Sequence, residues 1–159
     1  MTRKTIYVII LVLAVILWSM ILLNYAATGK AMTGICVVTK GEWVWLRDQP
    51  NPDAEKIGTI RYGTDVEIST IENQYAHVQW NGQEGWADVS YFLIPQDETV
   101  YNITCEGDLN KRETPDGRFL TKIKGKRISV LGWRYSKKGE LWAYVYHGGY
   151  VDARYLSKE

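Results

Sequence analysis

Three kinds of side chain in this sequence could do chemistry: two cysteines, two histidines and a recurrent aspartate. A cysteine thiolate beside an imidazole is a nucleophile, so Cys36 with His77 or His147 is the pair to weigh. The spacing is poor for it. Cys36 falls in a short connector, while His77 and His147 occupy a strand-like segment and a turn that do not correspond. Asp88 and Asp152 recur, but each belongs to its own copy of one phrase, directly after a Gly-aromatic step. Short carboxylates there accept backbone hydrogen bonds at a turn or strand end more readily than they exchange protons. Two Cys and two His without ligand spacing do not make a zinc site. The sequence thus predicts no catalytic residue, no metal and no cofactor, and the chain is expected not to be an enzyme.

Aromatic and guanidinium side chains suit binding better. In residues 142–146, alternation puts Ala143 and Val145 on one face and Trp142, Tyr144 and Tyr146 on the other. With Val145 toward a core, that stripe points outward and offers rigid ring faces to a sugar or a peptide. Trp43 and Trp45 oppose Val44 and Leu46 in the same way, and Trp133 and Tyr135 add rings just before a turn at 136–139. Arg47 and Arg112 recur at matched positions and could grip a ligand carboxylate through two parallel N–H donors. Each has a structural alternative. Rings can close an interface or cap a core too small to bury them, and each arginine can pair with a neighbouring aspartate.

The elements that must position these residues read as short strands. Residues 66–68 and 76–80 alternate with period two, and Asn81-Gly82 supplies a hairpin turn. Residues 127–131 and 142–146 repeat that sequence of strands after Thr114-Pro115-Asp116-Gly117, a turn-forming cluster. No amphipathic helix pattern follows the N-terminal region. Net charge is +1 with both signs interspersed, which excludes the concentrated basic face that nucleic acid requires.

Residues 6–27 differ from the rest. Only Tyr7 and Ser19 interrupt the apolar run from Ile6 to Leu23, which is long enough to span a hydrocarbon core of about 30 Å as a helix. Arg3 and Lys4 precede it, favouring a cytoplasmic N-terminus at 1–5 and an extracytoplasmic remainder in the cell membrane. The run exceeds the about 7–15 residues of a secretory signal, although Ala26, Ala27 and Gly29 could accept cleavage. Outside the cytoplasm Cys36 and Cys105 form a disulfide candidate, the alternative being two free thiols.

One phrase organises the remainder. Gly85-Trp86-Ala87-Asp88-Val89-Ser90-Tyr91-Phe92 and Gly149-Tyr150-Val151-Asp152-Ala153-Arg154-Tyr155-Leu156 share Gly, aromatic, small apolar, Asp, two variable residues, Tyr and a large apolar residue. Aligning backwards sets Val44-Trp45-Leu46-Arg47 over Leu109-Asn110-Lys111-Arg112, and Gly63 with Val66 and Ile68 over Gly125 with Ile128 and Val130. A fixed-offset phrase of this kind marks a duplicated folding unit.

The order Val44-Trp45-Leu46-Arg47, Ile57-Gly58-Thr59-Ile60, Gly63-Thr64-Asp65-Val66-Glu67-Ile68, Val78 and Gly85-Trp86 through Tyr91-Phe92 resembles the bacterial SH3 (SH3b) domain. The second copy is weaker: Lys111 stands at an apolar position, and Thr121 and Tyr150 replace Gly58 and Trp86. The resemblance implies an all-β fold of two tandem small SH3-like β-barrels, and the apolar run places a single transmembrane α-helix at 6–27 before them. The expected divisions are a connector at 28–41, repeats at 42–94 and 105–157, and a linker at 95–104. The resemblance also implies repeats that attach to peptidoglycan or cell-wall peptides; with the apolar segment and no catalytic residues, the expectation is a membrane-anchored, non-catalytic protein. The alternative is a scaffold subunit that binds a protein partner of an envelope complex.

Overall fold

Period-two burial builds the strands of this protein, whose computed structural model describes residues 31–158. In order they are β1 (Met32–Cys36), β2 (Trp43–Arg47), β3 (Lys56–Arg61), β4 (Asp65–Glu72), β5 (Tyr75–Trp80), β6 (Gln83–Asp88) and β7 (Phe92–Ile103). There follow β8 (Leu109–Arg112), β9 (Phe119–Ile123), β10 (Arg127–Tyr135), β11 (Leu141–Val145), β12 (Tyr150–Asp152) and β13 (Leu156–Ser157). Val44 and Leu46 of β2, Val66 and Ile68 of β4, and Ala76 and Val78 of β5 point inward, and their sequence neighbours are more exposed. Asn81 and Gly82 both take positive φ, which a two-residue hairpin needs to match strand twist.

All neighbouring strands are antiparallel, in the order β3-β2-β6-β5-β4-β1-β7-β10-β11-β12-β8-β9, with β13 added beside β7. This corrects the expected fold class. Two separate barrels joined by a linker would give two sheets, whereas here one 13-stranded sheet is continuous. Residues 95–103 of the expected linker belong to β7, and residues 32–36 of the expected connector form β1. Among the described residues the only helical elements are two single 3-10 turns, and no helix is long and apolar enough to cross a membrane. The span expected over 6–27 lies outside the described residues.

The pairing scheme recurs along the chain. Strand β1 lies between β4 and the start of β7, and the far end of β7 lies between β10 and β13. Each half has its own apolar core. Ile60, Ile68, Val78, Val89 and Phe92 centre the first, and Leu109, Val130, Val145 and Val151 the second.

Strand β7 serves both halves because its ladder with β10 is interrupted. Gly132 faces Pro95 and Val130 faces Thr99, so Gln96, Asp97 and Glu98 stand opposite Leu131 alone. Proline cannot donate to a ladder and is tolerated at such an irregularity. Gly132 is required there, because a Cβ would lie 2.8 Å from the Ile94 carbonyl oxygen. The Gln96 amide bridges the gap: its Oε1 accepts from Trp133 Nε1 at 2.8 Å, and its Nε2 donates to the Val130 carbonyl at 3.4 Å.

The topology also separates the cysteines. Cys36 N–H donates to the Thr64 carbonyl as Ile103 N–H donates to that of Lys126, so Cys36 corresponds to Ile103 and not to Cys105. Of the two alternatives, a disulfide or two free thiols, the structure has two free thiols. Cys36 is fully buried in the first core with Sγ directed at the Ile60 carbonyl, while Cys105 packs beside the second. Burial pushes the Cys36 thiol above its ordinary range, and the thiolate is what reacts. Titration of the native protein with a thiol reagent should modify Cys105 promptly and Cys36 only after denaturant is added. Absence of any reactive thiol in the denatured, unreduced protein would instead establish a disulfide.

Candidate functional site

A cleft of about 530 Å³ opens on the second half, between residues 105–112, Asp116, Trp142 and the chain from Asp152 to Tyr155. Its floor is Trp142, which is only 5% exposed. The outward stripe expected on β11 is therefore corrected at this position: Trp142 is buried, in a cleft that Cys105, Glu106 and Asp108 also line. The Trp142 indole N–H is buried and has no hydrogen-bond acceptor in the protein. Tyr144, next on that face, is half-buried with its ring 5.3 Å from that of Tyr150, and Tyr146 alone is freely exposed at 53%.

Arg112 joins the cleft, but its Nη1 donates to the Gly117 carbonyl at 2.8 Å. Arg47 does the same in the first half, donating to the Ala54 carbonyl at 2.8 Å. Each matched arginine thus closes the turn that follows its own strand, a structural use that accounts for the repetition. The matched aspartates are also structural. Asp88 accepts from Ser90 N–H and Asp152 from Arg154 N–H, both at 2.9 Å, capping the 3-10 turns Val89–Tyr91 and Ala153–Tyr155.

Asp152 carries an additional partner. Arg154 Nε lies 3.0 Å from both carboxylate oxygens and Nη2 donates to Oδ2, while Nη1 approaches Glu140 at 3.7 Å. Sequence reasoning did not find this pair, because Arg154 occupies a variable place in the repeated phrase, where the first copy has Ser90. The signal available was an Asp-x-Arg spacing at a turn. Burial pushes the Asp152 carboxyl upward, but the Arg154 hydrogen bonds and charge outweigh burial and hold it below the ordinary carboxylate range. A carboxylate so held keeps its charge at neutral pH and is poorly matched to proton transfer.

The remaining expected residues lie elsewhere. Trp133 packs on the second core, edge-on to Tyr101 at 5.5 Å, and Tyr135 packs against the first core. Both are half-buried seam residues, and Tyr135 also lines a small cleft there with Ser90, Tyr91 and Arg134. Trp43 and Trp45 do face solvent, 53% and 40% exposed, with ring centroids 6.4 Å apart and Lys56 Nζ 4.6 Å from the Trp45 ring. The residues weighed for nucleophilic chemistry are not assembled. Cys36 is enclosed in the first core, His77 Nδ1 lies 2.9 Å from Ser69 Oγ across β4 and β5, and His147 sits in an exposed turn at φ 63°. Among the described residues no group of three His, Cys, Asp or Glu is placed to hold a metal ion.

Because the folded state favours the ionised form of Asp152, the stability it contributes is fully present above about pH 4, where an unperturbed carboxylate titrates. That contribution is lost as pH falls through the lowered native value. Asp152→Asn should lower stability at neutral pH and flatten its decline under acid, as read by denaturant unfolding at about pH 7 and about pH 3.

Residues 44–92, from β2 to the start of β7, match the family model described as Bacterial SH3 domain. No curated protein matches the chain. Among solved structures, the chain is similar to NlpC1 from Trichomonas vaginalis, with a TM-score of 0.37 and 16% identity over 82% of this chain and 46% of that one. NlpC2 of the same organism gives 0.36 and 16%, over 82% and 49%. A protein described as an autolysin from Listeria monocytogenes gives 0.33 and 17%, over 80% and 62%. The chain spans less than two-thirds of the length of each of these proteins. The family resemblance read from the sequence is shown for residues 44–92.

Proposed function

We propose that this chain is a non-catalytic binding protein of the cell envelope, placed outside the cytoplasm and attached to peptidoglycan or cell-wall peptides. The observation that carries the reading is the bacterial SH3 match over residues 44–92, which includes exposed Trp45 and begins directly after exposed Trp43. Two rings set edge to face on one strand, with the Lys56 ammonium beside them, offer apolar faces and a cation to a sugar or a short peptide. The buried position of Trp142 supports moving the main contact surface from β11 to β2.

We further infer that the second half is a diverged copy of the first. The support is the recurring strand pairing, the matched Arg47 and Arg112 turn closures, and the matched Asp88 and Asp152 caps. Its polar cleft, not an aromatic surface, is what the second copy would contribute to recognition.

Cosedimentation of the full chain with purified peptidoglycan tests this reading. The chain should pellet with the wall, and a Trp43→Ala/Trp45→Ala variant should lose about ten-fold or more of its affinity while remaining folded, since both rings are exposed. Muropeptide composition should be unchanged after incubation. Pelleting no greater than that of an unrelated small β-protein rejects wall attachment. Specific crosslinks to one envelope protein would then favour the interaction-subunit reading.

A further inference from the structure

A second cleft, of about 300 Å³, lies at the seam between the halves. Ser90 and Tyr91 of the first 3-10 turn form one wall, and the end of β10 with its following turn forms the other. The charges there are unbalanced. Arg134, Lys137 and Lys138 face it with Asp116 as the one carboxylate lining it, leaving a net charge of +2 (three cations less one anion).

Arg134 is the central group. Its Nε donates to the Ser90 carbonyl at 2.8 Å, and its guanidinium lies 5.7 Å from the centre of the Tyr150 ring. It is half-buried, and it makes no ion pair among the described residues. The Ser90 carbonyl and the Tyr150 ring replace part of the hydration this half-buried cation has lost, but no counterion does. Among the described residues Lys137 is also without a carboxylate, and it lies 5.7 Å from the Tyr91 ring. Only Lys138 is paired, loosely, with Asp116 at 3.7 Å.

Two further observations point the same way. Ser90 is 4% exposed, lines the cleft, and its Oγ has no hydrogen-bond partner. The turn carrying both lysines is preset, because Ser136 Oγ accepts from the Lys138 and Glu140 N–H groups at 3.2 Å each. A guanidinium without a counterion, flanked by two exposed lysines on a preset turn, suits an oxyanion, to which arginine presents a planar fork of N–H groups. The excess of two positive charges favours phosphate over a singly charged carboxylate.

We propose that the seam cleft binds a phosphate group, with Arg134 as its principal ligand and Lys137 and Lys138 as supporting charges. This proposal does not rest on wall attachment through Trp43 and Trp45, which lie on β2. The test is a titration of the full chain with inorganic phosphate at constant ionic strength, followed by backbone amide chemical shifts around Ser90 and residues 134–140, with acetate in parallel. Saturable shifts with phosphate, and weaker ones with acetate, are expected. Arg134→Gln should weaken phosphate binding about ten-fold. Should that variant fail to fold, the exposed pair Lys137→Gln/Lys138→Gln decides, with a loss of about three- to ten-fold expected. An unsaturable response, an equal response to acetate, or unaltered binding by a folded variant overturns the proposal.

Discussion

The pairing of β7 with β10 is the constraint on which the rest of the molecule depends. One strand, Phe92–Ile103, closes the first half at its start and opens the second at its end. A regular ladder could not do both, because each half must curl around its own core. The interruption at Pro95 to Thr99 releases the strand, and Gln96 and Gly132 make the release tolerable. Glycine admits the Ile94 carbonyl where any Cβ would collide, and the glutamine amide supplies polar partners where the ladder does not. Trp133 is drawn into this arrangement as a hydrogen-bond donor and is half-buried against the second core.

The repeated phrase acquires a physical meaning from the same geometry. Its glycine lets one strand approach another, since a Cβ at Gly85 would sit 2.6 Å from the Arg47 carbonyl oxygen and one at Gly149 2.9 Å from that of Arg112. Its aspartate caps a 3-10 turn, and its tyrosine carbonyl receives a backbone N–H from Val37 in one half and Thr104 in the other. What the phrase leaves variable is where the halves acquire different surfaces. Ser90 in the first becomes a wall of the seam cleft, and Arg154 in the second locks the Asp152 carboxylate.

Much of this was legible in the sequence. The all-β character, the Asn81-Gly82 hairpin and the alternation of Trp43 and Trp45 against Val44 and Leu46 follow from local rules that tertiary structure did not override. So did the structural use of Asp88 and Asp152. The continuity of the sheet was not legible, because Ile94-Pro95-Gln96-Asp97-Glu98 has the composition of a linker and becomes strand only by pairing with residues 127–134. Trp142 was misplaced for a related reason: alternation assigns a face, but it does not say whether distant parts of the chain leave that face open. The seam cations went unnoticed because Arg134, Lys137 and Lys138 are ordinary turn-flanking residues until Ser90 is brought against them.

Native-state hydrogen exchange of the full chain tests most directly whether β7 makes the two halves one structure. Amides of β7 and β10, together with those of both cores, should exchange through a single global opening with one shared free energy and one shared denaturant dependence. Two separable openings, with the second half exchanging while the first stays protected, would contradict a shared β7 as the element that holds the sheet together.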